Sequence, residues 1–201
     1  MKLNFSLLVV LLLASSSSRA AGHWQPLWDG KTFNGWHIIG KGEWKIEDGA
    51  IHGTHAKTEK EFGHLVTDKS YKDFTVRMKF KALKGNSGLY FRIEEKGASG
   101  VSGFQAEIDE AKDVGGLYET NGRAWVVQPK PEDVQKWFKP GEWNDMTVSA
   151  HGGHIIVHVN GHQAAQRAGS PCRFTADWIA TFGSGTWKFQ SIESPARPGT
   201  I

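Results

Sequence analysis

Short runs of alternating apolar and polar residues follow one another along most of this chain. In residues 74–81 four apolar side chains alternate with four polar ones, and residues 143–150 and 155–159 show the same pattern. Two further runs of this kind lie near the C-terminus, in residues 178–182 and 186–192. Because the side chains of a β-strand point alternately to the two faces of a sheet, each run predicts a strand with one buried face.

Turn sequences separate these runs and indicate how the strands are connected. Residues 44–47 and 50–53 flank Asp48-Gly49, a pair typical of a two-residue β-hairpin turn. Only residues 131–138 carry helical signals, with a proline at the start and two acidic residues directly after it. Many short strands with almost no helix predict an all-β fold, either an antiparallel sandwich or a barrel.

The first twenty residues differ from everything that follows them. Lys2 precedes an unbroken apolar run at residues 7–14, and small residues then lead to the tripeptide Ser-Arg-Ala at residues 18–20. This order is typical of a secretory signal peptide, and the apolar run is too short to span a bilayer. We therefore expect residues 1–20 to be removed, a single mature domain over residues 21–201, and a periplasmic or secreted location.

Charge and cysteine content exclude several classes of protein. The formal net charge of the whole chain is +3, and loss of Lys2 and Arg19 with the leader leaves 22 − 21 = +1. No cluster of basic residues accompanies this balance, so nucleic acid is not expected as a partner. Cys172 is the single cysteine, which excludes an intrachain disulfide. No later segment has the length and hydrophobicity of a membrane span, and about 180 residues suffice for one sizeable core.

Two neighbouring strands concentrate polar chemistry on one face. Residues 86–92 and 103–109 both alternate, and their apolar members fall on one side. The opposite side carries an aromatic ring, a guanidinium, an amide and two carboxylates, from Tyr90, Arg92, Gln105, Glu107 and Asp109. Because the connection over residues 93–102 is short, we expect the strands to be hairpin neighbours with these side chains in one patch. A solvated outer face with a cross-strand ion pair is the alternative interpretation.

A histidine-rich stretch at residues 151–162 has the composition of a possible metal site. It holds four histidines and no cysteine, and on a strand only His154 and His158 would share a face. These two would lie about 13 Å apart, too far to bind one ion. This stretch therefore predicts no metal site.

His52, His55 and His64 flank a loop whose path the sequence does not define, and they are expected to be polar loop residues, with convergence on one site as the alternative. The sequence contains no phosphate loop or other cofactor motif. Trp125 lies near a predicted loop, where an aromatic ring is suited to stacking on a sugar.

A series of short motifs follows a recognisable order through most of the mature chain. Residues 27–36 read Leu-Trp-Asp-Gly-Lys-Thr-Phe-Asn-Gly-Trp, and they are similar to the LFDGKTLDGW opening of the 3-keto-disaccharide hydrolase domain family. The similarity continues in residues 42–51, 65–67, 73–74, 86–92, 103–108, 141–144 and 157–161. The resemblance implies a concanavalin A-like jelly roll of two antiparallel sheets, exported by bacteria, that cleaves glycosides already oxidised to a ketone at C3. Residues 179–192 depart from the family pattern, with Thr181 in place of the usual Gln.

The chemistry implied by this resemblance assigns roles to the polar face. A C3 ketone makes the C2 proton of the sugar acidic, so a carboxylate can remove it as general base. The enolate then expels the C1 substituent by β-elimination, and addition of water completes a net hydrolysis. Glu107 is the expected base with Asp109 beside it, and Arg92 is expected to stabilise the enolate oxygen. The expected sugar-binding residues are Tyr90, Gln105, Asn86, Tyr118, Glu119, Arg123 and Trp125.

Two other interpretations of the same residues stay open. Glu107 and Asp109 stand at positions i and i+2 of one strand, so their carboxyl groups would lie about 6–7 Å apart, a spacing that a glycosidase pair also uses. A non-catalytic carbohydrate-binding module would use the same fold without a paired acid and cation. In each case the expected partner is a carbohydrate, and no pattern in the sequence predicts the oligomeric state.

The leader yields a prediction that a single measurement checks. N-terminal sequencing of the exported protein should read Ala21-Gly22-His23, because signal peptidase cuts after small residues that follow an apolar run. Exported protein that still begins at Met1 would contradict this interpretation.

Overall fold

A computed structural model describes residues 24–54, 63–96, 100–170 and 178–195. At residues 178–187 and 191–195 it describes the backbone alone. The predicted signal peptide at residues 1–20, with its cleavage point, lies outside the described residues. Within the described ranges, no helix is long and apolar enough to cross a membrane.

The described part of the chain consists of thirteen strands and one helix. In chain order they are β1 (Trp24–Pro26), β2 (Trp36–Gly40), β3 (Glu43–Glu47), β4 (Ala50–Thr54), β5 (Gly63–Thr67), β6 (Phe74–Lys96), β7 (Gly100–Asp109), β8 (Leu117–Thr120), β9 (Ala124–Val127), α1 (Pro131–Trp137), β10 (Trp143–His151), β11 (His154–Val159), β12 (His162–Arg167) and β13 (Trp178–Pro195). All described strand pairs are antiparallel. This confirms the predicted all-β class.

Strands β6 and β13 belong to both layers of the fold. The first half of β6 pairs with β10, and its second half pairs with β7. In a straight strand Phe74 and Phe91 would lie about 55 Å apart, yet their ring centroids are 5.7 Å apart in an edge-to-face contact. The strand therefore folds over near its middle, and its two halves lie face to face in a jelly-roll β-sandwich.

Each layer is named here after the strand that pairs with β6. The β10 layer has the strand order β12-β11-β10-β6-β13-β4-β3. In the β7 layer, β8 and β9 continue the sheet beyond β7, while β5 and β2 continue it beyond β13. The polar face identified in the sequence belongs to the β7 layer.

The hydrophobic core fills the space between the two layers. Phe80 and Phe91 of β6 are fully buried, and Phe91 stacks on Phe104 of β7 at 5.7 Å between ring centroids. Helix α1 forms where the sequence predicts it and buries Val134. Phe138, directly after the helix, stacks on Phe80 at 6.3 Å. Burial of each such large side chain stabilises the fold by about 1.5–3 kcal/mol.

Two strand boundaries differ from the sequence prediction. The runs at residues 178–182 and 186–192 are one strand, β13, because the glycine-containing stretch between them stays paired with β6, including Gly183 opposite Ser87. The predicted connection at residues 93–102 is shorter, since β6 continues to Lys96 and β7 begins at Gly100. Side-chain alternation does not detect such extensions, because the backbone alone makes the ladder hydrogen bonds.

Candidate functional site

The outer face of the β7 layer gathers most of the polar residues identified in the sequence. Tyr90 lies opposite Gln105, and Gln105 lies opposite Tyr118 on the next strand. Two residues along the strands, Gly88 lies opposite Glu107. Two residues further along the same two strands, Asn86 lies opposite Asp109. On the other side of β8, Trp125 of β9 lies opposite Tyr118. Because residues directly opposite in a ladder share a face, these side chains form one surface.

Glu107 is the most unusual residue of this surface. Only 4% of it is exposed, and the amide nitrogen of Asn86 donates a hydrogen bond to its Oε1. Burial raises the pKa of Glu107 to about 8; the Asn86 hydrogen bond opposes the rise, while the carboxylates of Asp109 and Asp113 add to it. A buried carboxyl group whose pKa lies this close to neutrality is suited to proton transfer.

Gly88 makes room for the side chain of Gln105. A Cβ at position 88 would lie 2.5 Å from Cγ and 2.7 Å from Nε2 of Gln105. The amide of Gln105 therefore lies over the glycine and donates a hydrogen bond to the carbonyl oxygen of Ser87 at 2.8 Å. Because Gly88 has no side chain, the Gln105 amide occupies the space opposite Glu107 on the β6 side.

Tyr90 borders this surface together with two residues from other strands. Its hydroxyl lies 2.9 Å from the hydroxyl of Thr120, and its ring meets the ring of His64 edge to face at 6.4 Å. Burial raises the pKa of the Tyr90 phenol; the Thr120 hydrogen bond opposes the rise, and the Glu107 carboxylate adds to it. The phenol therefore stays protonated near neutral pH.

His64 was not identified as a site residue from the sequence. The alternation in β5 places His64 and Val66 on one face, but nothing in the sequence shows that β5 lies beside β13 in the β7 layer. The pairing of distant strands brings His64 next to Tyr90.

Tyr118 and Trp125 supply the aromatic part of the surface. Their rings meet at 5.2 Å in an edge-to-face arrangement, and both residues are half-buried. Asp109 lies on the same face but already has a structural role, since its Oδ1 accepts hydrogen bonds from the backbone N–H groups of Ala111 and Lys112 at 2.6 and 2.8 Å. Asp109 therefore stabilises the turn after β7 as well as contributing charge near Glu107.

Arg92 does not join this face, which corrects the sequence prediction. The ladder between β6 and β7 is regular up to Phe91 and resumes at Glu94, so Arg92 and Ile93 together oppose Gly103. This is a β-bulge, in which one extra residue breaks the alternation of faces. The backbone of Arg92 has φ of 51°, and a Cβ on Gly103 would lie 2.8 Å from the Arg92 carbonyl oxygen.

The bulge directs Arg92 towards the β10 layer. Its Nη1 donates to the carbonyl oxygen of Gly152 at 2.5 Å, and its Nη2 donates to that of Lys72 at 3.3 Å. The same Nη2 lies 3.5 Å from Oδ1 of Asp73. Arg92 is only 4% exposed, so its guanidinium ties the two layers together instead of facing a ligand beside Glu107.

Glu119 and Arg123 also turn away from the candidate surface. Glu119 lies opposite Phe104, which faces the core, and it is buried. The Arg123 side chain donates to the Glu119 carboxylate, and its guanidinium lies 5.8 Å from the centre of the Phe104 ring. Alternation places Glu119 on the side opposite to Tyr118. The sequence prediction needs correction for these two residues, because β8 turns Glu119 inward and the Glu119 carboxylate binds the side chain of Arg123.

No group of three or more potential metal ligands occurs in the part of the chain that the structure describes. Thr181, where the sequence departs from the family pattern, lies among the residues whose side chains are not described.

Comparison with known proteins identifies a family and one named relative. Residues 23–197 match the profile of the 3-keto-alpha-glucoside-1,2-lyase-like domain. A 3-keto-disaccharide hydrolase of Bacteroides thetaiotaomicron is 37% identical over 158 residues, which cover 67% of this chain and 54% of that protein. The chain thus spans about half the length of this curated relative.

Solved structures with the same fold include carbohydrate-related proteins. A protein of Parabacteroides distasonis, provisionally classed as a glycosyl hydrolase, has a TM-score of 0.65 at 19% identity, covering 88% of this chain and 94% of that one. The carbohydrate-binding module CBM66 of Bacillus subtilis has a TM-score of 0.62 at 17% identity, covering 81% and 96%. At these identities the likeness shows the fold alone.

The buried carboxyl group predicts how stability depends on pH. The pKa of Glu107 rises from 4.5, its ordinary value, to about 8 on folding, so the folded state binds this proton more tightly than the unfolded state. The resulting stabilisation is fully present below pH 4.5 and is lost as the pH rises towards 8. The Glu107→Gln variant has no carboxyl group at this position. As the pH rises from 4.5 to 8, the free energy of unfolding of the variant should therefore increase relative to that of wild type, by an amount on the order of a few kcal/mol. Urea unfolding at pH 4.5, 6, 7 and 9 measures it, and a difference independent of pH would contradict the buried position of the carboxyl group.

The contact between Gly88 and Gln105 predicts a specific coupling. Gly88→Ala should destabilise the protein by about 1–3 kcal/mol, because the new methyl group overlaps the Gln105 side chain. Adding Gln105→Ala should recover part of that loss, so a double-mutant cycle from urea unfolding should show coupling between the two positions. The control is Lys84→Ala, at an exposed position of β6, which should change stability by less than about 0.5 kcal/mol. Strictly additive effects of Gly88→Ala and Gln105→Ala would contradict the contact.

Proposed function

Since this chain belongs to the family of 3-keto-alpha-glucoside-1,2-lyase-like domains, we propose that it cleaves 3-keto glycosides with Glu107 as general base. The observation that carries the proposal is the buried Glu107 carboxyl group, with its raised pKa and its hydrogen bond from Asn86, on a face that also holds Tyr118 and Trp125. The matched segment covers only 54% of the named relative, so the activity of that protein comes to this chain only through the proposal.

The proposed reaction begins with removal of the proton at C2 of the sugar. The Glu107 carboxylate takes this proton, and the electron pair of the C2–H bond forms the enolate with the C3 ketone. The enolate collapses to re-form the ketone, a C1–C2 double bond appears, and the C1 substituent leaves with the bonding pair and acquires a proton. Water then adds at C1 and C2 regains a proton, which completes a net hydrolysis. If water does not add, the unsaturated sugar is the product of a lyase reaction.

The raised pKa suits this step. At pH 7 a carboxyl group of pKa about 8 is ionised in about a tenth of the molecules, but its ionised form is a stronger base than an ordinary carboxylate. The Asn86 amide holds the ionised oxygen in place, which fixes the direction of proton transfer. The neighbouring carboxylates of Asp109 and Asp113 increase the basicity further.

A donor other than Arg92 must stabilise the enolate oxygen, because Arg92 is bound between the layers. Asn86 lies beside Glu107 and has a second N–H, and Tyr118 lies diagonally across the ladder from Glu107. In the substrate, the ketone oxygen is attached to the carbon next to C2, and here the Asn86 amide lies next to the Glu107 carboxylate. We therefore assign the contact with the enolate oxygen to the Asn86 amide. Tyr118 and Trp125 would then hold the sugar ring.

A non-catalytic carbohydrate-binding module is the second candidate. The inward turn of Arg92 favours this function, because an enzyme would be expected to pair an acid with a cation on one face, and Glu107 and Arg92 do not share a face. A sugar could stack on Trp125 and Tyr118 without being cleaved. Turnover of a 3-keto disaccharide distinguishes the two functions.

Catalysis by Glu107 predicts a large loss of turnover in one variant. Glu107→Gln should lower kcat on a 3-keto disaccharide by about 10²–10⁴-fold, the usual contribution of a general base, while sugar binding persists. Wild-type kcat/KM should rise with pH to a plateau above about 8, because the base must be ionised. Lys79→Ala, which breaks an exposed ion pair with Asp145 on the β10 layer, is the matched control and should retain full activity.

Three results would overturn the assignment. Wild-type turnover by Glu107→Gln would remove Glu107 from the mechanism. Activity that falls above pH 8 would identify Glu107 as a general acid, as in a glycosidase pair. Binding of the 3-keto sugar and of its unoxidised counterpart without cleavage of either would favour the binding module.

A further inference from the structure

The outer face of the β10 layer contains a depression far from Glu107. It has a volume of about 400 Å³ and is lined by Asp48, Ala50, Lys81, Leu83, Trp143 and Lys188, together with Gln190. Lys81 lies on β6 next to Phe80, which faces the core, so alternation directs Lys81 outward from the opposite side of the sandwich. A cavity of this size accommodates one or two sugar rings.

The depression exists because a small residue is surrounded by long ones. Ala50 is almost fully buried at the floor, and the side-chain amide of Gln190 donates a hydrogen bond to the carbonyl oxygen of the preceding Gly49 at 3.2 Å. Lys188 of β13 lies opposite Lys81 of β6, and Lys81 in turn lies opposite Trp143 of β10. Cross-strand neighbours have Cβ atoms about 4.5–5.5 Å apart, so the Trp143 ring and the Lys81 stem form one wall.

A β-bulge supplies the exposed apolar residue at this site. Strand β13 pairs with Ala82 and then with Lys84, so Leu83 has no partner in the ladder. Leu83 is 41% exposed, one of two large hydrophobic side chains with such exposure among the described residues. Leu83 and Trp143 therefore give the depression apolar surface that can cover the C–H face of a sugar.

Lys81 brings a positive charge to the depression that no acidic side chain of the described residues pairs with. The Lys188 ammonium lies 3.1 Å from Glu47 and 3.2 Å from Asp48, and Lys79, next on the same face of β6, lies 2.8 Å from Asp145. No carboxylate of the described residues forms an ion pair with Lys81. Lys81 is half-buried and lines the depression. Of the two lysines that line it, Lys188 pairs with described acidic residues and Lys81 does not.

We propose that this depression binds a sugar unit that carries a carboxylate, such as a uronic acid. The ring lies against Trp143 and Leu83, the carboxylate pairs with Lys81, and the amide of Gln190 and the carboxylate of Asp48 bind hydroxyl groups. The site is independent of the proposed cleavage at Glu107, because the two lie on outer faces of different layers. Its role is to hold the domain on an acidic polysaccharide while the β7 layer remains accessible.

The test uses the mature protein with digalacturonate as the acidic probe and cellobiose as the neutral one. The indole N–H signal of Trp143, assigned through Trp143→Phe, is followed by heteronuclear NMR during titration. Digalacturonate should shift this signal with saturation, and cellobiose should bind at least tenfold more weakly. Lys81→Gln should weaken digalacturonate binding about tenfold or more, whereas the matched control Lys79→Gln should leave it unchanged. Trp143→Ala lacks the reporting indole, so its binding is measured by isothermal titration calorimetry and should also be weaker by about tenfold or more.

Ionic strength and a second variant complete the design. Binding should weaken when NaCl is raised from 20 to 300 mM, because an ion pair at a partly exposed site is screened by salt. Glu107→Gln should bind digalacturonate as wild type does, so failure of the cleavage mechanism would not affect this result. Equal affinity for both probes, loss of binding in Lys79→Gln, or a Trp143 signal that does not move would each overturn the proposal.

Discussion

The pairing of β6 with β13 is the constraint on which the rest of the structure depends. These two strands run beside each other from Arg77 opposite Glu193 to Ile93 opposite Trp178, and both pass from one layer to the other. Because β6 folds over, the inward residues of its two halves pack against each other and exclude water from one common core. Every other described strand joins this pair directly or through a neighbour. The two outer faces, with Glu107 on one and Trp143 on the other, are consequences of that shared centre.

Irregularities in the same two strands decide which side chains reach those faces. The bulge at Arg92 turns the guanidinium inward, where it joins the layers through Gly152 and Asp73. The bulge at Leu83 turns an apolar side chain outward. One irregularity thus removes a cation from the surface around Glu107, and the other adds apolar surface to the depression on the opposite layer. Bulges of this kind re-aim single side chains while the rest of the ladder stays paired.

Burial of the Glu107 carboxyl group opposes stability and favours proton transfer. Desolvation raises its pKa, and the nearby Asp109 and Asp113 act in the same direction. An apolar residue at this position would fold at lower cost, because a buried carboxylate loses solvation that one hydrogen bond only partly replaces. The proposed enzymatic function therefore rests on the buried carboxyl group of Glu107 rather than on the number of polar residues around it.

The sequence by itself determined the all-β class, the helix that begins at Pro131, the Asp48-Gly49 turn and the common face of Tyr90, Gln105 and Glu107, because each follows from local periodicity or turn chemistry. Its motifs also determined the family. Tertiary structure alone decided the inward turn of Arg92, since a bulge depends on the register of β6 against β7 and β13 together. It also decided the approach of His64 to Tyr90 and the raised pKa of Glu107. Alternation describes where a side chain points along its own strand, whereas burial and charge are summed over neighbours that lie far apart in the chain and meet only when the layers close.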